Sequence, residues 1–137
     1  MFRTLDDTIS VYGQLRIDDV AAAKAQGFAL IVNNRPDDEQ PGQPAGSAIE
    51  AAARAAGLDY VAIPVDHSGF DEAQVAAMAA ALAAAQGPVL AFCRSGTRST
   101  YLWALARAQA GDPADALVAK AANAGYDLTP LRRALGE

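Results

Sequence analysis

The chain has 137 residues, a formal net charge of −5, a pI near 4.7 and 52% hydrophobic residues. That length suits one domain, residues 1–137, with enough chain to bury a core, and the acidic balance without a Lys/Arg cluster excludes a nucleic-acid partner. The single cysteine excludes an internal disulfide and suits a reducing cytoplasm, while the most apolar window, residues 75–85, is mostly alanine and too short to span a bilayer.

The first residues, Met1 to Asp7, are charged and poor in apolar side chains, unlike a signal peptide. Ile9 to Tyr12 alternates and predicts a short strand. Asp18 and Asp19 open a helix to Ala25, with Gly27 closing it. Phe28 to Val32 is a continuous apolar run, as a buried parallel strand should be. It leads into Asn33-Asn34-Arg35-Pro36 and a long polar loop to Gly46, at the strand end where open α/β sheets bind ligands. Ser47 and Glu50 read as a capping box for a helix to Ala56. Tyr60 to Val65 is the next strand, followed by the loop Asp66 to Phe70. Asp71 and Gln74 form a second capping box for a helix reaching about Gln86. Val89 to Phe92 is a further buried strand, and Thr100 to Arg107 has helical periodicity. Asp112-Pro113 starts another helix, with Pro at its first position and Gly125 at its end. Thr129-Pro130 opens a last short helix to Leu135. Alternating strands and helices predict an α/β domain of three layers, a central parallel sheet of about four strands with helices on both faces.

The junction from Val89 to Ser99 carries the chemistry. A strand, a six-residue loop from Cys93 to Arg98 and a helix make an anion cradle. The amides of Arg94, Ser95, Gly96 and Thr97 can turn inward, and Arg98 can fork onto an oxyanion. Cys93 at the lip of that cradle is expected to ionise readily, with Ser99 donating a hydrogen bond to the thiolate. A lone cysteine after an apolar strand is more often an inert core residue; the Gly, Arg and Ser spacing is what favours a nucleophile. Asn34 and Arg35 either line the cradle or brace their own loop, Arg35 pairing with Asp37, Asp38 or Glu39. For a general acid the candidates are Asp66 and Asp71, of which Asp71 is better explained as a helix cap. His67 could orient either, although a solvated loop histidine is the simpler reading.

The run Cys93-Arg94-Ser95-Gly96-Thr97-Arg98-Ser99 resembles the active loop of single-domain rhodaneses. It is less like the signature loop of protein tyrosine phosphatases, which has five residues between Cys and Arg where this chain has four. Further segments resemble the phosphatase-like domain of the beta-lactamase-hydrolase-like proteins, a family also described as candidate sulfur transferases. They are Tyr12-Gly13-Gln14, Asn33-Asn34-Arg35-Pro36-Asp37, Gly42-Gln43-Pro44, Ile63-Pro64-Val65, Gly87-Pro88-Val89-Leu90 and Gly125-Tyr126-Asp127-Leu128. Phe92 departs from the family, in which His usually precedes the Cys. The resemblance implies a fold like that of the dual-specificity phosphatases. It also implies a small anionic substrate, a thiol acceptor, and a fused or co-encoded partner in sulfur metabolism.

Two reactions fit the loop. In sulfur transfer, Cys93 takes a sulfane sulfur, becomes a persulfide and passes it on, and the leaving group needs no acid. In phosphoryl transfer, Cys93 attacks phosphorus, Arg98 holds the oxygens and Asp66 protonates the leaving oxygen. The short loop and the lack of an unambiguous acid favour sulfur, with phosphatase as the alternative. A redox sensor is a third reading, weakened because no second thiol exists to resolve a sulfenate. No metal-ligand spacing, Walker loop or dinucleotide fingerprint is present, so no cofactor is expected.

Overall fold

The structure, a computed structural model, describes residues 1–136. Five strands form the sheet: β1 (Arg3–Asp6), β2 (Ile9–Tyr12), β3 (Leu30–Asn33), β4 (Asp59–Ala62) and β5 (Val89–Phe92). Their order is β1-β2-β5-β3-β4. All pairings are parallel except β1 with β2, which is an antiparallel hairpin. The sheet therefore has one strand more than expected, an antiparallel edge added to a parallel core of four. Five helices cover it: α1 (Ile17–Ala25), α2 (Gly46–Ala55), α3 (Glu72–Ala84), α4 (Thr97–Gln109) and α5 (Ala114–Asn123).

Strand periodicity divides the core in two. On β5, Val89 and Ala91 point to one face, and Leu90 and Phe92 to the other. The first face packs with Leu30, Val32, Met78, Leu102, Trp103 and Leu117 beneath α3, α4 and α5. The second packs with Val20, Ile31, Ile49 and Ala53 of α1, β3 and α2. Both faces of the central strands are thus apolar, which is why those segments read as continuous runs.

Helix starts agree with the sequence only in part. Asp71 caps α3 as expected, its Oδ1 accepting the Gln74 N–H at 2.8 Å while Gln74 Oε1 accepts the Asp71 N–H at 2.9 Å. The Ser47–Glu50 box does not form. Ser47 lies inside the first turn of α2, and the orphan N–H of Gly46 is taken by Asp37 Oδ1 at 2.8 Å. Glu50 pairs with Arg54 instead. Pro113 precedes α5 as its cap, not as its first helical residue, and the last short helix is a single 3₁₀ turn, Thr129–Leu131.

Candidate active site

Four loops meet at the carboxyl ends of β2, β3, β4 and β5, and the nucleophile loop is the central one. Cys93 follows β5 directly, its N–H donating to the Tyr12 carbonyl at 3.4 Å. The residue is 1% exposed, yet its sulfur faces the loop and not the core: the Gly96 N–H donates to Cys93 Sγ at 3.1 Å. Gly96 can aim its amide there because it adopts a left-handed φ of 95°, which an L side chain rarely takes. It also caps α4, accepting from the Thr100 N–H and hydroxyl through its carbonyl. Ser95 and Arg94 are exposed, and Thr97 is half-buried with its Oγ1 accepting from the Ser95 hydroxyl. Gly13 packs against the Arg94 carbonyl so closely that a Cβ would sit 2.9 Å from it.

Arg98 stands in the first turn of α4 and is fixed from one edge. Its Nη1 and Nη2 donate end-on to the two Glu39 oxygens at 2.8 Å each, and Nη1 also donates to the Val65 carbonyl at 2.6 Å. Three of the guanidinium's five N–H groups are thereby used. The other edge, Nε–H with the second Nη2–H, makes no hydrogen bond to an oxygen among the described residues and suits a bidentate oxyanion. Glu39 raises the Arg98 pKa first of all, and Cys93 adds to that rise by its charge and by a hydrogen bond. In turn the Arg98 and Arg35 hydrogen bonds draw the Glu39 carboxyl down to about 2.

Asn34 and Arg35 act one layer further out. Arg35 spends its fork on Glu39, Gln14 and Gln40, at 2.8, 3.0 and 2.9 Å, with its side chain 2% exposed. It braces the long loop and the Glu39 carboxylate; of its two readings, this geometry fits the brace. Asn34 is fully buried, donating to the Ile63 carbonyl and accepting the Ser99 hydroxyl at 2.8 Å. That last bond corrects one expectation. The only proton of the Ser99 hydroxyl goes to Asn34, so Ser99 ties α4 to β3 and does not donate to the sulfur.

Asp66 sits on the flanking loop, exposed, with Oδ1 accepting the Ser68 N–H and hydroxyl. Those two bonds hold its carboxyl below the ordinary range, the opposite of what a general acid at neutral pH needs. His67 is exposed, its Nε2 3.9 Å from Glu39. Three residues at the site were not singled out from sequence: Glu39 as the Arg98 clamp, Gln14 as an Arg35 acceptor, and Tyr126, whose hydroxyl donates to the Ser95 carbonyl at 2.9 Å. A roomier cleft of about 930 Å³ lies at the opposite end of β5, around Pro88, Val89, Ala106 and Arg107, away from this chemistry.

Residues 1–112, which hold every group of the site except Tyr126, match the family described as beta-lactamase hydrolase-like protein, phosphatase-like domain. The chain belongs to that family. The Agrobacterium fabrum beta-lactamase hydrolase-like protein is 42% identical over 107 residues, covering 78% of this chain and 25% of that protein. The chain thus spans about a quarter of the length of this relative, and 23% of the Xylella fastidiosa one, which is 40% identical over 101 residues. Among solved structures, a candidate phosphatase of Neisseria meningitidis superposes with a TM-score of 0.85 at 32% identity, covering 97% of this chain and 94% of that one. PTPMT1 superposes with a TM-score of 0.76 at 16% identity over 98% and 91% of the chains, a likeness of fold alone. The fold is that of the tyrosine-phosphatase-like proteins, as the family resemblance implied.

Proposed function

We propose that this domain is a cysteine-dependent phosphatase acting on small phosphate monoesters with good leaving groups. The observation that carries the reading is the pairing of Cys93 Sγ with the Gly96 amide at 3.1 Å beside the Arg98 guanidinium. The Cys93 thiolate attacks phosphorus, the P–O bond to the leaving group breaks, and a phosphocysteine forms. Water then attacks phosphorus, releasing phosphate and restoring the thiolate. Loop amides and the Nε/Nη2 edge of Arg98 hold the non-bridging oxygens, where charge is concentrated in the transition state. The family name and the Neisseria relative's description support phosphoryl over sulfur chemistry. Asp66 in its present turn is an ionised carboxylate, so aryl phosphates, which leave without a proton, are the expected substrates. A lone thiol of this kind works best in a reducing compartment, and we place the domain in the cytoplasm.

Sulfur transfer is the second reading, favoured by the loop: only four residues separate Cys93 from Arg98, and the candidate acid Asp66 is held ionised by Ser68. There the thiolate attacks a sulfane sulfur, the donor S–S bond breaks, sulfite or a thiolate leaves with the electron pair, and an acceptor thiol takes the sulfur from the persulfide. A protein partner in sulfur metabolism would supply that acceptor. The two readings separate when the protein is offered p-nitrophenyl phosphate and, in parallel, thiosulfate or glutathione persulfide. Phosphate release that Cys93→Ser abolishes supports the phosphatase. A sulfur adduct on Cys93, removable by cyanide, with no phosphate released would replace it by the transferase.

A further inference from the structure

Tyr126 lies outside the family match and 33 residues beyond Cys93, yet it reaches the nucleophile through one peptide group. The Ser95 carbonyl and the Gly96 N–H belong to the same peptide unit. On one side its carbonyl oxygen accepts the Tyr126 hydroxyl at 2.9 Å, and on the other its N–H donates to Cys93 Sγ at 3.1 Å. We propose that Tyr126 is a positioning residue, which orients and polarises the Ser95–Gly96 peptide so that its N–H stabilises the Cys93 thiolate. A donor on the carbonyl draws electron density away from the amide nitrogen through peptide resonance and strengthens the opposite N–H as a donor.

The phenol is held for this task. Gly125, with φ 96°, ends α5 and turns the chain, so that the Tyr126 N–H bonds back to the Ala121 carbonyl at 2.8 Å. Arg3 of β1 lies over the ring, 5.7 Å from its centroid, and donates to the Ala124 carbonyl at 3.0 Å. The hydroxyl occupies the space that a Cβ on Gly96 would need. Burial pushes the phenol up from its ordinary value, Arg3 opposes this, and the Cys93 charge adds to the rise, so the group stays a protonated donor at neutral pH. The charged and titratable groups around the thiolate include Arg98 from α4, with the Glu39 carboxylate behind it, and this phenol, with Arg3 behind it. Arg98 acts on the sulfur directly, by charge and a hydrogen bond, and Tyr126 through the peptide, so their effects are separable.

The inference rests on the thiolate chemistry proposed above, common to phosphoryl and sulfur transfer, and its test needs neither substrate. Wild type and Tyr126→Phe are alkylated with iodoacetamide from pH 5 to 10. Weakening a charge-assisted hydrogen bond by its cooperative part should slow the variant about threefold on the rising limb of the profile. A less stabilised thiolate is also a better nucleophile, so at the alkaline plateau the variant should match or slightly exceed wild type, and the curves converge or cross. In parallel, the Gly96 amide proton should move upfield in the variant while that of Leu102, nearly two turns further into α4, does not. Superimposed curves, or a variant slower by one factor at every pH, would overturn the inference, because a ring that only covers the loop changes access and not the profile. If neither substrate class reacts at Cys93 but the profiles still differ as described, the functional reading fails and the role of Tyr126 stands. Unaltered profiles beside intact turnover show the reverse.

Discussion

Replacing Glu39 with glutamine removes the charge that two guanidinium groups share and keeps the side chain's shape. In the folded chain this carboxyl is drawn from 4.5 to about 2, chiefly by the Arg98 hydrogen bond. Converted directly at about 1.4 kcal/mol per pH unit, the shift corresponds to ~3 kcal/mol. The side chain keeps 14% exposure on a loop open to solvent, where water screens the pair. We therefore expect Glu39→Gln to cost about 1–2 kcal/mol at pH 7, or about 3–8 °C in Tm. The pH dependence identifies the cause. A carboxyl whose pKa is depressed on folding contributes fully above its unfolded value, and the contribution disappears as pH falls through the folded one. The stability gap between wild type and variant, measured by urea unfolding, should be flat from pH 7 to about 5.5, fall to about half near pH 4 and be down to about a fifth near pH 3.3. A gap that is undiminished near pH 3.3 would assign the loss to packing. No gap at pH 7 would mean that the pair is too well hydrated to contribute. Either result refutes the reasoning.

Arg98→Lys keeps the charge but loses the two-edged geometry that holds Glu39 and an oxyanion at once, so aryl phosphate kcat/KM should fall at least about a hundredfold; activity near wild type would remove Arg98 from the site. Asp66→Asn should leave p-nitrophenyl phosphate turnover within about twofold, since that leaving group needs no proton. A loss of about 10²–10⁴ on alkyl phosphates alone would show that Asp66 leaves its turn and acts as the acid. Asn34→Ala orphans the Ser99 hydroxyl and the Ile63 carbonyl in a buried setting, and urea unfolding should report a loss of about 2–4 kcal/mol. A loss below about 0.5 kcal/mol would mean that water replaces the amide.

The parallel core was legible because β3 and β5 are flanked by apolar layers on both faces and read as unbroken hydrophobic runs. β1 was not, since Arg-Thr-Leu-Asp buries only Leu5 and is held as a strand by its hairpin with β2 and by α5. The Asp71 cap was visible because cap and partner are three residues apart. The cap on Gly46 comes from Asp37, nine residues upstream, and depends on how the long loop folds back. Distance along the chain also hid the site's outer groups. Sequence proximity offers Glu39 only as an ion-pair partner for Arg35, whereas its bond to Arg98 spans 59 residues, and nothing near Tyr126 in the segment Gly125 to Leu128 points to Cys93. Loop spacing pointed to sulfur, but spacing is a local signal. The family match and the Neisseria likeness extend over most of the chain and favour phosphate.

β5 has a parallel partner on each side, and Cys93 is the first residue beyond it. Its amides donate to the two ladders in alternation, so each is released to solvent only when its own ladder opens, whereas the exposed Arg94 and Ser95 that follow Cys93 need no such opening. In hydrogen–deuterium exchange, the interval from Phe92 to Ser95 should span nearly the whole dynamic range of the molecule, from the slowest protons to among the fastest. The nucleophile thus stands at the boundary between two timescales: its backbone keeps the clock of global unfolding, and what approaches its sulfur keeps the clock of water.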